Sequence, residues 1–428
     1  MRARRKVADD GRLPQSLPKR YRLQQVRTVG SLPTLENGPP EAAAMNAAVL
    51  DSLDGIIEPY LGSGPNHCFP GAVALVARRA LVVKFSAYGF AQTHSGKHKL
   101  DAPRPVRTDT VFDLGSITKV AATTLACMRL VYEGRLELDA PVSTWIPELS
   151  GDRKKQITIR QLLAHRSGLW EWQPIYLSAR NQDEAREYIT SLDLRYPVGQ
   201  ERHYSDLGFI LLGEVVCRVT NEALDSYVDR AVHQPLGMTD TCYRPPAALQ
   251  NRIAATSMGN PFEYRMISTG EPYPVEGDPS EFTGWRDYTL VGEANDGNAS
   301  YCFAGVAGHA GLFSTARDLA ILGQFLLNGG GYGAARMCSP AVVNEFASDQ
   351  YDYGQGLGFL TRRPSSSDGS RIHGFGHGGF TGTELLIDPD QELLIILLTN
   401  RQHPDLPYAS IERTWRTIVQ RVFAAIEA

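Results

Sequence analysis

Cysteine is scarce in this 428-residue chain, and the little there is stands apart. Cys68, Cys127, Cys217, Cys242, Cys302 and Cys338 form no CxxC pair, which excludes a disulfide scaffold or a zinc framework. They read as reduced thiols of a cytoplasmic protein. Long apolar runs are absent too. A membrane span needs roughly 18 apolar residues, whereas the longest run of large aliphatic side chains, Leu393 to Leu398, is strand-sized. Neither sign of charge dominates: 43 Lys+Arg against 47 Asp+Glu leave a net charge of -4, giving no electrostatic reason for a nucleic-acid partner. The N-terminus carries a basic cluster (Arg2, Arg4, Arg5, Lys6), but no apolar stretch follows, so a secretory signal is not expected.

What is present is ordinary globular composition, with a 43% hydrophobic and 21% charged chain. Residues 1–44 lack periodicity and are rich in Arg, Pro and Gly, which predicts a mobile extension. From Met45 a helical pattern places Val49, Leu50, Leu53, Ile56, Ile57 and Leu61 on one face. Two strand-like runs, Gly71 to Val76 and Leu81 to Tyr88, suit an antiparallel hairpin. Helical patterns cover Ser116 to Glu133, Leu207 to Val219, Leu224 to Leu236, Leu312 to Leu327 and Pro340 to Ala347. Residues 245–300 are polar and rich in Pro and Gly, as expected of a functional loop or lid. Strands are predicted at Tyr353 to Leu360, Ser370 to Gly374, Thr383 to Asp388 and Leu393 to Asn400, and a closing amphipathic helix at Tyr408 to Glu427. The order of elements predicts an α+β fold. One antiparallel sheet, from about 70–90 and 353–400, is flanked by the terminal helices, and a mostly helical subdomain is inserted at about 117–340. Residues 45–428 then form a single domain, with a site expected in the cleft.

The chemistry starts at Phe112-Asp-Leu-Gly-Ser-Ile-Thr-Lys119. S-x-x-K at a helix start puts Ser116 and Lys119 on one face, about a turn apart. A serine hydroxyl needs a nearby base to act as a nucleophile. Alone the motif is weak, and a capping serine with a solvated lysine would explain it. Here Lys119 leads into the apolar stretch Val120-Ala-Ala-Thr-Thr-Leu-Ala-Cys-Met, the mark of a buried helix, where a lysine needs a purpose. Tyr204-Ser-Asp206 opens a later helical run, and His377-Gly378-Gly379 precedes a strand pair, where glycine permits close backbone approach.

These motifs, in this order, resemble the serine β-lactamase and penicillin-binding-protein superfamily, a β-lactamase/transpeptidase-like fold. The likeness is greatest to the class C β-lactamase-like branch, with its family VIII carboxylesterases, D-amino-acid peptidases and muropeptide amidases, whose motifs are S-x-x-K, Y-x-N and K-T-G or H-x-G. Phe69-Pro-Gly-Ala, Gly134-Arg-Leu-Glu-Leu-Asp and Pro235-Leu-Gly-Met add to the likeness, which runs from about residue 46 to the end. The resemblance implies Ser116 as the acylated nucleophile, Lys119 as a recipient of its proton and Tyr204 as general base and proton carrier to the leaving group. It implies an oxyanion hole from the backbone N–H groups of Ser116 and Phe380, and substrate contacts at Asp206, His377, Gly378 and Gly379. Neither metal nor cofactor is required, and the partner is a small ester or amide. Asp206 stands where β-lactamases have Asn, and His377 where they have Lys. An ionised Asp only accepts hydrogen bonds, and a neutral imidazole lacks lysine's constant charge. Both departures weaken a β-lactam reading and leave esterase, amidase and peptidase chemistry open. Asp296-Gly-Asn-Ala-Ser and Gly305-Val-Ala-Gly-His-Ala-Gly resemble segments of muropeptide amidases, pointing to cell-wall-derived amides. His309 and His165 read as structural residues. An acyltransferase shares the same catalytic residues, and a non-catalytic ligand sensor would be expected to lack one of them.

Overall fold

The computed structural model describes residues 30–62, 67–351, 354–361, 374–404 and 410–427. A seven-stranded sheet organises the chain. Its site-bearing edge is Phe375–Gly379, followed inward by Thr383–Asp388, Leu393–Thr399, Gly71–Arg78 and Leu81–Ser95, all antiparallel. Chain segments more than 300 residues apart are joined at its centre, where Leu397 pairs with Ala74. The run Leu393 to Leu398 is apolar throughout because both sheet faces are covered. Leu394, Ile396 and Leu398 enter the core shared with the helical subdomain, and the Ala316–Leu327 helix lies on this strand. Leu393, Ile395 and Leu397 enter a second core with Trp415, Val419 and Val422 of the C-terminal Glu412–Glu427 helix and Leu50 of the Ala47–Asp51 helix.

Several expectations need correction. Residues 30–44 are docked: Glu36–Asn37 pairs in parallel with Leu81 and Val82, and Leu35 is buried. Low periodicity missed this because the segment gains order from the sheet it joins; residues 1–29 lie outside the description. The strand at Leu81 runs on to Ser95 and pairs with His98–Pro105, a strand too polar to show as one in the sequence. Leu312–Ser314 is a strand, not the start of a helix. It pairs with Phe112–Asp113 and Cys242–Tyr243, and the Thr315 hydroxyl then accepts from Asp318 N to begin the Ala316–Leu327 helix. Among residues 354–361 there is no strand, only the isolated bridges Gln355–Leu360 and Leu360–Gly376. The strand expected at Ser370 to Gly374 lies, apart from Gly374, outside the described residues, as do His373 and Tyr353. The polar 245–300 region contains the Pro261–Thr269 helix, which faces the cleft with Asn295 and Asp296, and the start of the Gly297–Phe303 helix.

Candidate active site

Ser116 occupies a turn directly after the Phe112–Asp113 strand. Gly115 before it has φ +51°, a left-handed conformation that favours glycine. The chain then enters a π-helical turn, Lys119–Thr124, that continues as the Leu125–Tyr132 helix, all its π-turn residues buried. Such wide turns often occur at functional sites because they redirect a side chain within a helix. Lys119 Nζ reaches Ser116 Oγ at 2.8 Å, as the spacing of three predicts. The lysine is fully buried, and its ammonium also donates to the His309 carbonyl at 3.1 Å.

The sheet edge is stitched to this turn by two threonines. Thr381 Oγ1 donates to Asp113 O at 2.7 Å, and Thr383 Oγ1 donates to Leu114 O at 2.9 Å. The approach is close enough that a Cβ on Gly379 would lie 2.3 Å from Leu114 O, and one on Gly115 would lie 3.1 Å from Phe380 N. Glycine at both positions lets the Phe380 amide come up beside the serine turn. His377, two residues before Gly379 on the same strand, is buried, with Nδ1 2.6 Å from Gly378 O. Its ring centroid is 5.9 Å from that of Tyr204.

Tyr204 and Asp206 come from the opposite side. Ser205 caps the Asp206–Thr220 helix, its hydroxyl accepting from Gly208 N and donating to Trp170 O. Ser205 N donates to His165 Nδ1, and the His165 ring lies against Tyr204, centroids 4.5 Å apart. Burial, followed by the nearby Arg202 and Lys119 charges, drives the His165 imidazolium well below the usual histidine range, so the ring is neutral and positions the tyrosine. Burial pushes the Tyr204 phenol up, although Lys119 draws it down, and the hydroxyl is within hydrogen-bonding reach of Lys119 and Ser116.

Asp206 pairs directly with Lys119, Oδ1 to Nζ 2.7 Å. Burial alone would depress the ammonium, but the Asp206 charge outweighs it and holds the lysine above its ordinary range. Lys119 is therefore charged, and Tyr204 protonated, at neutral pH. Asp296 and His309, from the segment around the Gly297–Phe303 helix, complete the cluster with a 2.9 Å contact. Burial acts against the Asp296 carboxylate, but the His309 ring and the Ala299 N–H hold it below the usual range. Asp206, Asp296 and His309 bring potential ligand atoms within 4.8 Å of one another. A metal ion there would compete with Lys119, the cation already seated on Asp206.

A cavity of about 100 Å³ opens beside Ser116, walled by Trp172, Phe262, Met266, Tyr273 and Phe380. The rings of Phe262 and Phe380 meet with centroids 4.7 Å apart. All the residues singled out in the motifs thus converge. His309 reads in the sequence as a structural residue, and Asp296, Phe262, Tyr273 and the two threonines carry no role there; the available signals were the polar lid-like composition of 245–300 and the Asp296-Gly-Asn and Gly308-His-Ala segments. Glu171, which has no obvious partner in the sequence, pairs with Arg195 at 3.0 Å and accepts from the Tyr196 hydroxyl at 2.6 Å.

An S-x-x-K pair with its lysine buried, at a helix entrance and facing a sheet edge and a tyrosine, describes the serine acyl-transfer class. Residues 53–417 match the beta-lactamase family, and the chain belongs to it. It is a serine hydrolase of that family. The chain is 34% identical over 403 residues to an N-acetylmuramyl-L-alanine amidase of Bacillus subtilis (strain 168), covering 88% of this chain and 86% of that protein. It is 30% identical over 430 residues to a putative D-alanyl-D-alanine carboxypeptidase of Escherichia coli (strain K12), covering 92% and 94%. Its fold is similar to that of a penicillin-binding protein homologue from Caulobacter crescentus (TM-score 0.64, 22% identity, 88% and 97% covered). It is likewise similar to a family VIII carboxylesterase (TM-score 0.64, 20% identity, 90% and 98% covered).

Proposed function

We propose that the protein is an amidase and esterase that hydrolyses small cell-wall-derived amides through an acyl-enzyme on Ser116. The observation that carries this reading is the 2.8 Å contact between Ser116 Oγ and a buried Lys119, set beside the Phe380 amide. Ser116 Oγ attacks the substrate carbonyl carbon as its proton passes to the Lys119 side. The N–H groups of Ser116 and Phe380 hold the oxyanion. Tyr204, protonated at rest, delivers a proton to the departing amine or alcohol, and water then releases the acyl group. Gly378 and Gly379 offer backbone along the sheet edge to an extended substrate, and His377 lines the same side.

An amide in preference to a β-lactam or a free C-terminal carboxylate is supported by position 377, which carries a histidine in place of a lysine, and by the 34% identity to the muramyl-alanine amidase. A cytoplasmic location agrees with six free cysteines, four of them buried. Among the described residues no helix is long and apolar enough to cross a membrane.

The test compares wild type with Ser116→Ala on p-nitrophenyl butyrate and on N-acetylmuramyl-L-alanine. Loss of both activities in a folded variant is the expected result; activity surviving in Ser116→Ala removes the assignment. Turnover of the ester with no turnover of the muramyl amide would confine the reading to esterase chemistry.

A further inference from the structure

At rest the site has no ready base. Lys119 is held as an ammonium and Tyr204 as a phenol, yet Ser116 must lose a proton to attack. One group in line can receive it. Ser116 Oγ, Lys119 Nζ and Asp206 Oδ1 are joined by successive contacts of 2.8 and 2.7 Å. We propose that Asp206 is the terminal proton acceptor of a Ser116–Lys119–Asp206 relay, an assignment that rests on Ser116 being the nucleophile.

The step balances without another reactant. A Nζ proton first moves to Asp206 Oδ1, leaving an amine lone pair that takes the Ser116 proton as the serine O–H bond breaks. The serine oxygen pair forms the bond to the carbonyl carbon, whose π electrons move to the oxyanion. Lysine begins and ends the step as an ammonium and passes through the neutral amine, and the charge lost at Asp206 reappears on the oxyanion. When the intermediate collapses, the leaving group takes a proton from Tyr204, which is restored through Lys119 from Asp206.

Titratable groups face Asp206 from several elements. Lys119 and Tyr204 face Asp206 from the nucleophile side, Tyr273 from the lid region, and Asp296 with His309 from the opposite loop. His165 and His377 lie behind Tyr204, and the Asp206 amide is fixed by the Glu171 carbonyl at 2.8 Å. An asparagine at 206 keeps the shape and removes the acceptor. Ser205, not Asp206, caps the helix, so the cap is retained.

The experiment measures kcat/KM for p-nitrophenyl butyrate from about pH 6 to 9 in wild type, Asp206→Asn and Asp206→Glu, with fluorophosphonate labelling of each read by intact mass. The relay expects a roughly 100-fold loss in Asp206→Asn at neutral pH, the scale of one proton-transfer function. That loss should recover by up to about tenfold per pH unit as neutral Lys119 becomes available, and Asp206→Glu should restore the wild-type profile shape. An unchanged rate in Asp206→Asn overturns the relay, and so does a loss equal at every pH. Should Asp206→Asn fail to fold, rates of the wild type in light and heavy water mixtures decide: a curved dependence on deuterium fraction is expected, and a linear one removes the coupled transfer. Absence of a Ser116 adduct in wild type would instead remove the nucleophile assignment, whatever the Asp206 variants do.

Discussion

The two walls of the cleft are built differently. The wall from Asp113 to Ser116 and from Phe375 to Thr383 is mostly backbone: strands, two glycines without room for a Cβ, and two threonine hydroxyls spent on carbonyls. The wall from Tyr204, Asp206, Glu263, Asp296 and His309 is made of side chains, with its carboxyl groups held by internal ion pairs and an N–H donor. The backbone wall tolerates almost no displacement, because its segments approach one another more closely than a side chain would allow. The side-chain wall sets charge and shape, and a change there is felt through protonation and binding.

Gly379→Ala should have the largest effect. Its Cβ would lie 2.1 Å from Thr383 Oγ1 and 2.3 Å from Leu114 O, forcing the edge off the serine turn. A displacement of about 1 Å at reacting atoms costs roughly 100-fold in rate. Kinetics beside thermal melting would show it: a variant with normal kcat/KM means the edge does not supply the oxyanion contact.

Two substitutions sharpen the comparison on the charged wall. Glu263 is buried and accepts from Gly297 N at 2.7 Å and from the Tyr176 hydroxyl at 2.7 Å. Burial, helped by the Asp296 charge, pushes its carboxyl up to about 8. The unfolded chain ionises this group near 4.5, so between those values the unfolded state binds fewer protons, and stability falls as pH rises. Glu263→Gln should therefore gain stability relative to wild type on moving from about pH 5 to about pH 8, read by urea unfolding; a pH-independent difference would contradict the raised carboxyl. Asp296→Asn should do the reverse. The Asp296 carboxyl is lowered on folding, so its contribution is present above the unfolded value of 3.8 and is lost as pH falls through the folded one. Removing this charge-assisted contact should cost about 1.5–3 kcal/mol at neutral pH, a gap that closes in acid; a constant gap would show that the His309 contact is not ionic.

The smallest effect is expected at the mouth. Phe262→Ala removes one ring of the pair with Phe380. Aromatic pairing of about 0.5–1.5 kcal/mol sets KM up to about tenfold higher with kcat held. A fall in kcat at unchanged KM would place Phe262 in the chemistry instead of the binding wall.

How far the sequence was legible follows the same division. The Ser116–Lys119 contact was readable because a spacing of three on a helix fixes a distance through local geometry. The strand Leu393–Thr399 was readable because burial on both faces leaves an unbroken apolar run. Leu312–Ser314 was misread as helix because its apolar run is short, and its strand character comes from two partners roughly 70 and 200 residues away. The docked segment 30–44 was lost for the same reason, since pairing with Leu81 and Val82 supplies the order that its own composition lacks.

The sequence by itself determined the frame of central strands and flanking helices, the buried lysine beside a serine, and the two positions, 206 and 377, where this chain departs from the β-lactamase motifs. Tertiary structure alone decided what Asp206 does. Its residue type says only that it accepts hydrogen bonds; folding set it 2.7 Å from Lys119 and beside Asp296 and His309. A charge on a buried group depends on everything within a few ångströms, and those neighbours are far away along the chain.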